Sequence, residues 1–256
     1  MPVIEFQNLT KVYHLAGFLK TRQAPGIDSF SLEINEGEIF GLLGLNGSGK
    51  TTSLRLLLGL IRPTGGRVLV LGSDSARDPA VRSRLGYLPE TVSFPGTLTP
   101  REILRFFARI DARASQRKDE LEARITETLR IVGLSAAGER RTAGFSKGMI
   151  QRLGIAQAIF HQPKILVLDE PASGLDPLGI VEMRELFLKL NQELKITILF
   201  SSHSIGEVEK VSHRVAIIAG SRLQKILTKA EWQNGQSLEK LFLDAVRPIQ
   251  SAGAHV

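Results

Sequence analysis

Nine consecutive residues constrain this chain more than any others: Gly44-Leu45-Asn46-Gly47-Ser48-Gly49-Lys50-Thr51-Thr52. A glycine, four residues and then Gly-Lys-Ser/Thr is the pattern of a phosphate-cradling loop, met here at Gly44, Gly49, Lys50 and Thr51. Glycines without Cβ atoms let such a loop turn its backbone N–H groups onto phosphate oxygens, and a helix starting near Lys50 points its positive dipole end at the same anion. Lys50 then reaches the β/γ-phosphates, and Thr51 offers its hydroxyl to Mg²⁺. The surroundings agree: Glu38 to Leu43 is an apolar, strand-like run before the loop, and Ser53 to Leu60 is helix-like after it. A glycine-rich turn with a solvated lysine is the plainer reading, and the order strand, loop, helix argues against it.

Bulk properties exclude some chemistry. The chain of 256 residues is long enough for one sizeable domain or a core with a satellite. Its formal charge of +7 suits nucleic acid, an anionic membrane surface or a polyanionic ligand without choosing among them. Without cysteine there is no disulfide, thiol nucleophile or thiolate metal site. The start, Met1 to Glu5, lacks a basic stretch followed by an apolar core, so no signal peptide is expected, and the longest apolar runs are far shorter than a membrane span. A cytosolic location is therefore the default.

Short β-branched runs at Gly66 to Leu71, Ile165 to Leu168, Thr197 to Phe200 and Arg214 to Ala219 alternate with helical patterns, which predicts an α/β layer with a largely parallel sheet. Val3 to Tyr13 and Gly26 to Ile34 read as antiparallel strands joined by a basic loop, His14 to Pro25. Thr99-Pro100-Arg101-Glu102 combines a capping threonine, proline at the first helical position and a capping-box glutamate, and opens an amphipathic helix to Ile110. A second helix is expected over Arg117 to Val132, stopping at Gly133. From Pro95 to Phe160 no strand is expected, which makes this stretch a helical insertion. The division is thus a core of 1–94 and 161–230, a helical subdomain of 95–160, and a C-terminal helix and tail of 231–256, with Pro248 to Val256 read as a mobile tail. Met149, Leu153, Ala156 and Phe160 fall at helical spacing and read as core. Arg113, Arg117, Lys118 and Arg124 read as a solvated face, although a surface near anionic lipid suits them too.

A second constellation ends the run Ile165-Leu166-Val167-Leu168-Asp169-Glu170. At the carboxyl end of a parallel strand, where ligands gather, Asp169 is expected to position Mg²⁺ or its waters; two acids that merely end a strand and cap the next helix are the plainer reading, and the preceding phosphate loop argues against it. Glu170, turned the other way by strand alternation, is expected to accept a proton from an attacking water.

The order of motifs from Val3 to about Thr228 resembles the ATP-binding subunit of ATP-binding cassette (ABC) transporters. Matching residues are Tyr13, the Gly44 to Thr52 loop, Glu90 in Gly86-Tyr87-Leu88-Pro89-Glu90, Ser146 and Gly148, Asp169 and Glu170, Asp176 in Ser173-Gly174-Leu175-Asp176, and His203. The resemblance implies a P-loop NTPase (RecA-like) core, ATP and Mg²⁺ as cofactors, Tyr13 stacked on adenine, and Thr51, Glu90 and Asp169 around the metal. Glu170, His203 and Lys50 would carry hydrolysis. Ser146, Lys147 and Gly148 would contact the ATP of a second subunit, and Asp176 would lie in the dimer loop. Two departures stand out. Glu90 replaces a glutamine, and the usual leucine, serine, two glycines and glutamine read Phe145-Ser146-Lys147-Gly148-Met149, a variant similar to ATPases of bacterial exporters with a separate permease chain.

The implied mechanism is a head-to-tail homodimer closing on two ATP molecules and driving a membrane permease docked near Glu90 and Thr91 to Thr99, on the cytoplasmic face of the cell membrane. Two other classes share a phosphate loop of this kind: a soluble cassette acting on ribosomes or DNA, and a nucleotide sensor without turnover. The single phosphate loop, the short insertion and the missing cysteines speak against the first, so no nucleic-acid partner is expected. Glu170 together with His203 speaks against the second.

Overall fold

The computed structural model describes residues 1–15, 22–110 and 117–253. In chain order the elements are β1 (Pro2–Leu15), β2 (Arg22–Asn35), β3 (Ile39–Leu43), α1 (Lys50–Leu57), β4 (Gly65–Val70), β5 (Ser73–Asp74), β6 (Leu85–Leu88), α2 (Pro100–Ile110), α3 (Lys118–Ile131), α4 (Lys147–Ile159) and β7 (Ile165–Leu168). They continue with α5 (Pro177–Leu194), β8 (Thr197–Ser202), α6 (Ile205–Val211), β9 (Arg214–Ala219), β10 (Arg222–Thr228), α7 (Lys229–Gln233) and α8 (Leu238–Gly253).

Two sheets form, with strand orders β2-β1-β4-β5 and β10-β9-β3-β8-β7-β6. In the second, the neighbours from β9 to β6 are all parallel, and only β10 runs antiparallel. The first is antiparallel throughout. Strands β3, β7 and β8 are buried at every position because both faces of the sheet are covered, and all but Thr197, Ser201 and Ser202 of their residues are apolar. Ile39, Leu43, Leu166 and Leu168 face a core shared with α2 to α6 and α8. Phe40, Leu42, Ile165 and Val167 face the other way, into a core shared with α1 and the antiparallel sheet.

Several expectations change. The run Gly66 to Leu71 does form a strand, but β4 pairs antiparallel with β1 and leaves the parallel sheet. A short strand at Leu85–Leu88 fills the edge beside β7 instead, with Gly86 so close to α4 that a Cβ would strike the carbonyl of Ala158. Strands β1 and β2 stay paired as far as Leu15 and Arg22, so both ends of the expected loop His14 to Pro25 are strand; its residues 16–21 lie outside the described residues, as does Arg113. The expected tail from Pro248 is helical to Gly253. The helix after the loop spans Lys50–Leu57 rather than Ser53 to Leu60.

Helices α2, α3 and α4 pack on one another with no strand among the described residues between 95 and 164. The capping box at Thr99 and Glu102 forms in both directions, and Gly133 ends α3 with φ of 73°. Leu153, Ala156 and Phe160 are buried and Met149 packs against them. Arg117 and Lys118 are exposed, but Arg124 departs from a solvated face: its guanidinium lies 4.3 Å from the Phe160 ring centroid.

The contact between Gly86 and Ala158 fixes how α4 seats on the sheet. Gly86→Ala is expected to cost about 1–3 kcal/mol, read as a lower midpoint in urea unfolding.

Candidate active site

At the carboxyl ends of β3, β7 and β8 the chain builds a polar cavity of about 480 Å³. The loop after β3 starts with Gly44 N–H donating to the carbonyl of Ser202 at the end of β8, 3.3 Å away. It then turns through Gly47 and Gly49 with φ of 77° and 111°, conformations that L side chains resist. Gly49 also lies against Gly26, where an added Cβ would come 2.5 Å from the carbonyl oxygen. It is the N-cap of α1 and supplies no side-chain cap, so the first N–H groups of the helix face the loop.

Lys50 is only 5% exposed. Its Nζ donates to the carbonyls of Gly44 (2.8 Å) and Leu45 (3.3 Å) and pairs with Glu170 Oε1 at 3.3 Å. Thr51 Oγ1 donates to Asp169 Oδ1 at 3.2 Å. Ser48 Oγ is buried without a hydrogen-bond partner. Buried polar groups are nearly always satisfied, so this orphan beside an anion-seeking loop fits a ligand bearing oxygen acceptors.

Asp169 follows Val167 on the face of the sheet that meets α1, and alternation alone would send Glu170 to the opposite face. The backbone prevents it: Glu170 has φ of 46°, a left-handed turn that swings its carboxylate back toward Lys50 and His203. The two acids thus share a side, where alternation was expected to turn them apart. His203 Nδ1 lies 2.8 Å from Glu170 Oε2, and the His203 N–H donates to the same oxygen at 3.3 Å. With Glu170 as the carboxylate, Nδ1 is the donor and Nε2 is left for another partner.

Asn46, Gly47, Ser48, Gly49, Lys50, Thr51 and Thr52 line the cavity together with Tyr13, Glu90, Glu170 and His203. Gly44 and Leu45 contribute carbonyls instead. Tyr13 leans on Gly26 with its hydroxyl 3.3 Å from Thr52 Oγ1. Ser146, Lys147 and Gly148 are not among the lining residues. Ser146 caps α4 by accepting the Met149 N–H, and Lys147 reaches over Gly174. Asp176 caps α5 by accepting the Gly179 N–H at 2.7 Å.

Sequence reasoning passed over Ser201. Fully buried, its hydroxyl donates to Asp169 Oδ1 at 2.6 Å and accepts the Glu170 N–H at 2.9 Å. Only the register reveals it: in the parallel pairing Leu168 sits opposite Phe200, which puts the next residue, Ser201, beside Asp169.

A single acid and a hydroxyl, with Glu90 exposed at the rim, do not make a complete cage, and among the described residues no group of three or more His, Cys, Asp or Glu does so. Such a sparse set of hard oxygen donors fits Mg²⁺, which takes one or two carboxylates and fills its shell with phosphate oxygens and water.

The family model for ABC transporters matches residues 27–173, more than half of the chain. The chain is 40% identical to the bacitracin transport ATP-binding protein BcrA of Bacillus licheniformis, with 86% of this chain and 68% of that protein aligned. To the ABC transporter ATP-binding protein sll0415 of Synechocystis it is 41% identical, with 86% of this chain aligned. The alignment spans only 61% of the length of the Synechocystis protein. Among solved structures, the dimeric post-hydrolysis state of the ATP-binding cassette MJ0796 bound to ADP and Pi superposes with a TM-score of 0.78 at 24% identity, over 88% of this chain and 98% of that one. A phosphate loop at the ends of parallel strands, beside an Asp-Glu pair, defines a P-loop nucleotide-binding cassette. This chain belongs to the ABC transporter ATP-binding family.

Gly49 tests the loop. Gly49→Ala is expected to leave the far-UV circular dichroism spectrum intact and to weaken ATP affinity by at least about tenfold in calorimetry, since alanine fits neither the φ nor the space.

Proposed function

We propose that this chain is the ATP-hydrolysing subunit of an ABC transporter that works as a head-to-tail dimer and drives a separate membrane permease, as an exporter. The observation that carries the reading is the convergence of Lys50, Glu170 and His203 on one side of the phosphate loop, with Asp169 hydrogen-bonded to Thr51. The name of BcrA, a bacitracin transport protein, supports transport as the use of that chemistry.

In this reading Tyr13 stacks on the adenine, while the loop N–H groups from Asn46 to Thr52, the Ser48 hydroxyl and Lys50 bind the phosphates. A triphosphate competes with Glu170 for the Lys50 ammonium. Glu170 is then released to accept a proton from the attacking water, and His203, held through Nδ1, uses Nε2 toward the γ-phosphate or that water. Thr51, Asp169 and Glu90 would hold Mg²⁺, whose charge would offset that of the triphosphate.

The pocket of one protomer has Lys50 as its sole lysine or arginine among the described lining residues. That deficit supports a contribution from a second copy: the α4 N-terminus with Ser146, Lys147 and Gly148, and the Asp176 loop beside it. The MJ0796 cassette bound to ADP and Pi is dimeric, which supports a dimer here as well.

None of the helices among the described residues is long and apolar enough to cross a membrane, so the permease is a separate chain in this reading. Residues 95–160 are the helical subdomain, and an apolar groove of about 570 Å³ between it and the sheet, lined by Val92, Phe94, Leu98 and Phe107, supports docking there. Phe106, also in its wall, is 58% exposed. The subunit then sits peripherally on the cytoplasmic face of the cell membrane.

Glu170→Gln separates binding from turnover. Hydrolysis is expected to fall by about 100-fold or more, while ATP still binds and a dimer accumulates in size-exclusion chromatography. Near-normal turnover in this variant would remove Glu170 from the proton-accepting role.

A further inference from the structure

Asp169 and Glu170 have different tasks in the proposed reaction, yet a single hydroxyl joins them. The Ser201 Oγ gives its proton to Asp169 Oδ1 at 2.6 Å and takes the main-chain proton of Glu170 at 2.9 Å. Ser201 is fully buried on β8, so the two contacts compete with no solvent. Each has a specific consequence. The first leaves Asp169 Oδ1 shared between two hydroxyl donors, Ser201 and Thr51, and so fixes the carboxylate plane relative to the start of α1. The second satisfies the N–H of a residue whose φ of 46° takes it out of the strand ladder. The preceding N–H, that of Asp169, is already held by the Leu88 carbonyl at 2.9 Å, so the chain is anchored on both sides of the acid pair.

We infer that Ser201 is a positioning residue that couples the metal-holding carboxylate to the proton-accepting one, so that Mg²⁺ affinity and the placement of Glu170 depend on the same hydroxyl. The inference rests on the proposed ATPase reading. Ser201 touches neither nucleotide nor water in it. Groups that orient a metal-binding carboxylate through a hydrogen bond commonly change metal affinity or activity by 10–100-fold when removed.

The test titrates Mg²⁺ against this 256-residue chain at fixed ATP, with calorimetry of ATP binding in Mg²⁺ and in EDTA alongside hydrolysis. Ser201→Ala is expected to raise the Mg²⁺ concentration for half-maximal effect by about tenfold or more and to leave ATP affinity in EDTA at the wild-type value. Ser201→Cys keeps nearly the same bulk with only a weak donor and is expected to share that shift; Ser201→Thr keeps the hydroxyl and is expected to restore the wild-type curve. Folded Ala and Cys variants with wild-type Mg²⁺ dependence would overturn the role of Ser201, as would an equal loss of binding with and without the metal. Those results, with a wild type that binds ATP normally, leave the ATPase reading standing; a wild type that binds no ATP overturns both.

Discussion

A buried ammonium sets the terms for everything around it. Lys50 has lost nearly all of its water, and a buried charge persists only where it is paired and hydrogen-bonded. Two loop carbonyls and the Glu170 carboxylate meet that requirement. The carbonyls belong to Gly44 and Leu45, so the lysine holds the loop in the curve that turns its N–H groups inward. The carboxylate belongs to the acid pair on β7, so the same side chain ties the loop to the neighbouring strand. An anion with more charge than one carboxylate has a waiting partner there.

The scaffold explains why these groups meet. Strands β3, β7 and β8 are parallel, so their carboxyl ends open on one edge of the sheet, where loop, acid pair and His203 follow in turn. Each strand is buried on both faces, which leaves no freedom of register: a slip by one residue would exchange the two cores. Rigid strands therefore fix the positions, and short turns fix the directions. The left-handed turn at Glu170 is the clearest case, since it overrides the alternation of the strand and brings both acids to the α1 side.

Much of this was legible in the residues. Loop and acid pair follow from short patterns whose chemistry needs those residue types, His203 from the resemblance to the ABC transporter family, and the central strands and the capped helix α2 from apolar periodicity and capping residues. What escaped did so for physical reasons. β4 carries the same β-branched signal as a parallel strand, and only its pairing with β1 assigns it to the other sheet. β6 has four residues, one of them the glycine at the α4 contact, too few for a period. α8 continues through Pro248, where a proline usually argues for a stop. Arg124 looks solvated in sequence because nothing local announces the Phe160 ring it covers. Ser201 needs the strand register before its neighbours can be known.

The claim at the centre is that the Gly44 to Thr52 loop and Lys50 form a triphosphate cradle. Isothermal titration of MgATP into the wild type and into Lys50→Ala measures this directly. The account predicts saturable one-to-one binding in the wild type and a loss of at least about tenfold in affinity in the variant, the scale of one charge-assisted phosphate contact. Equal affinity in the two proteins, or no binding to the wild type, would contradict it.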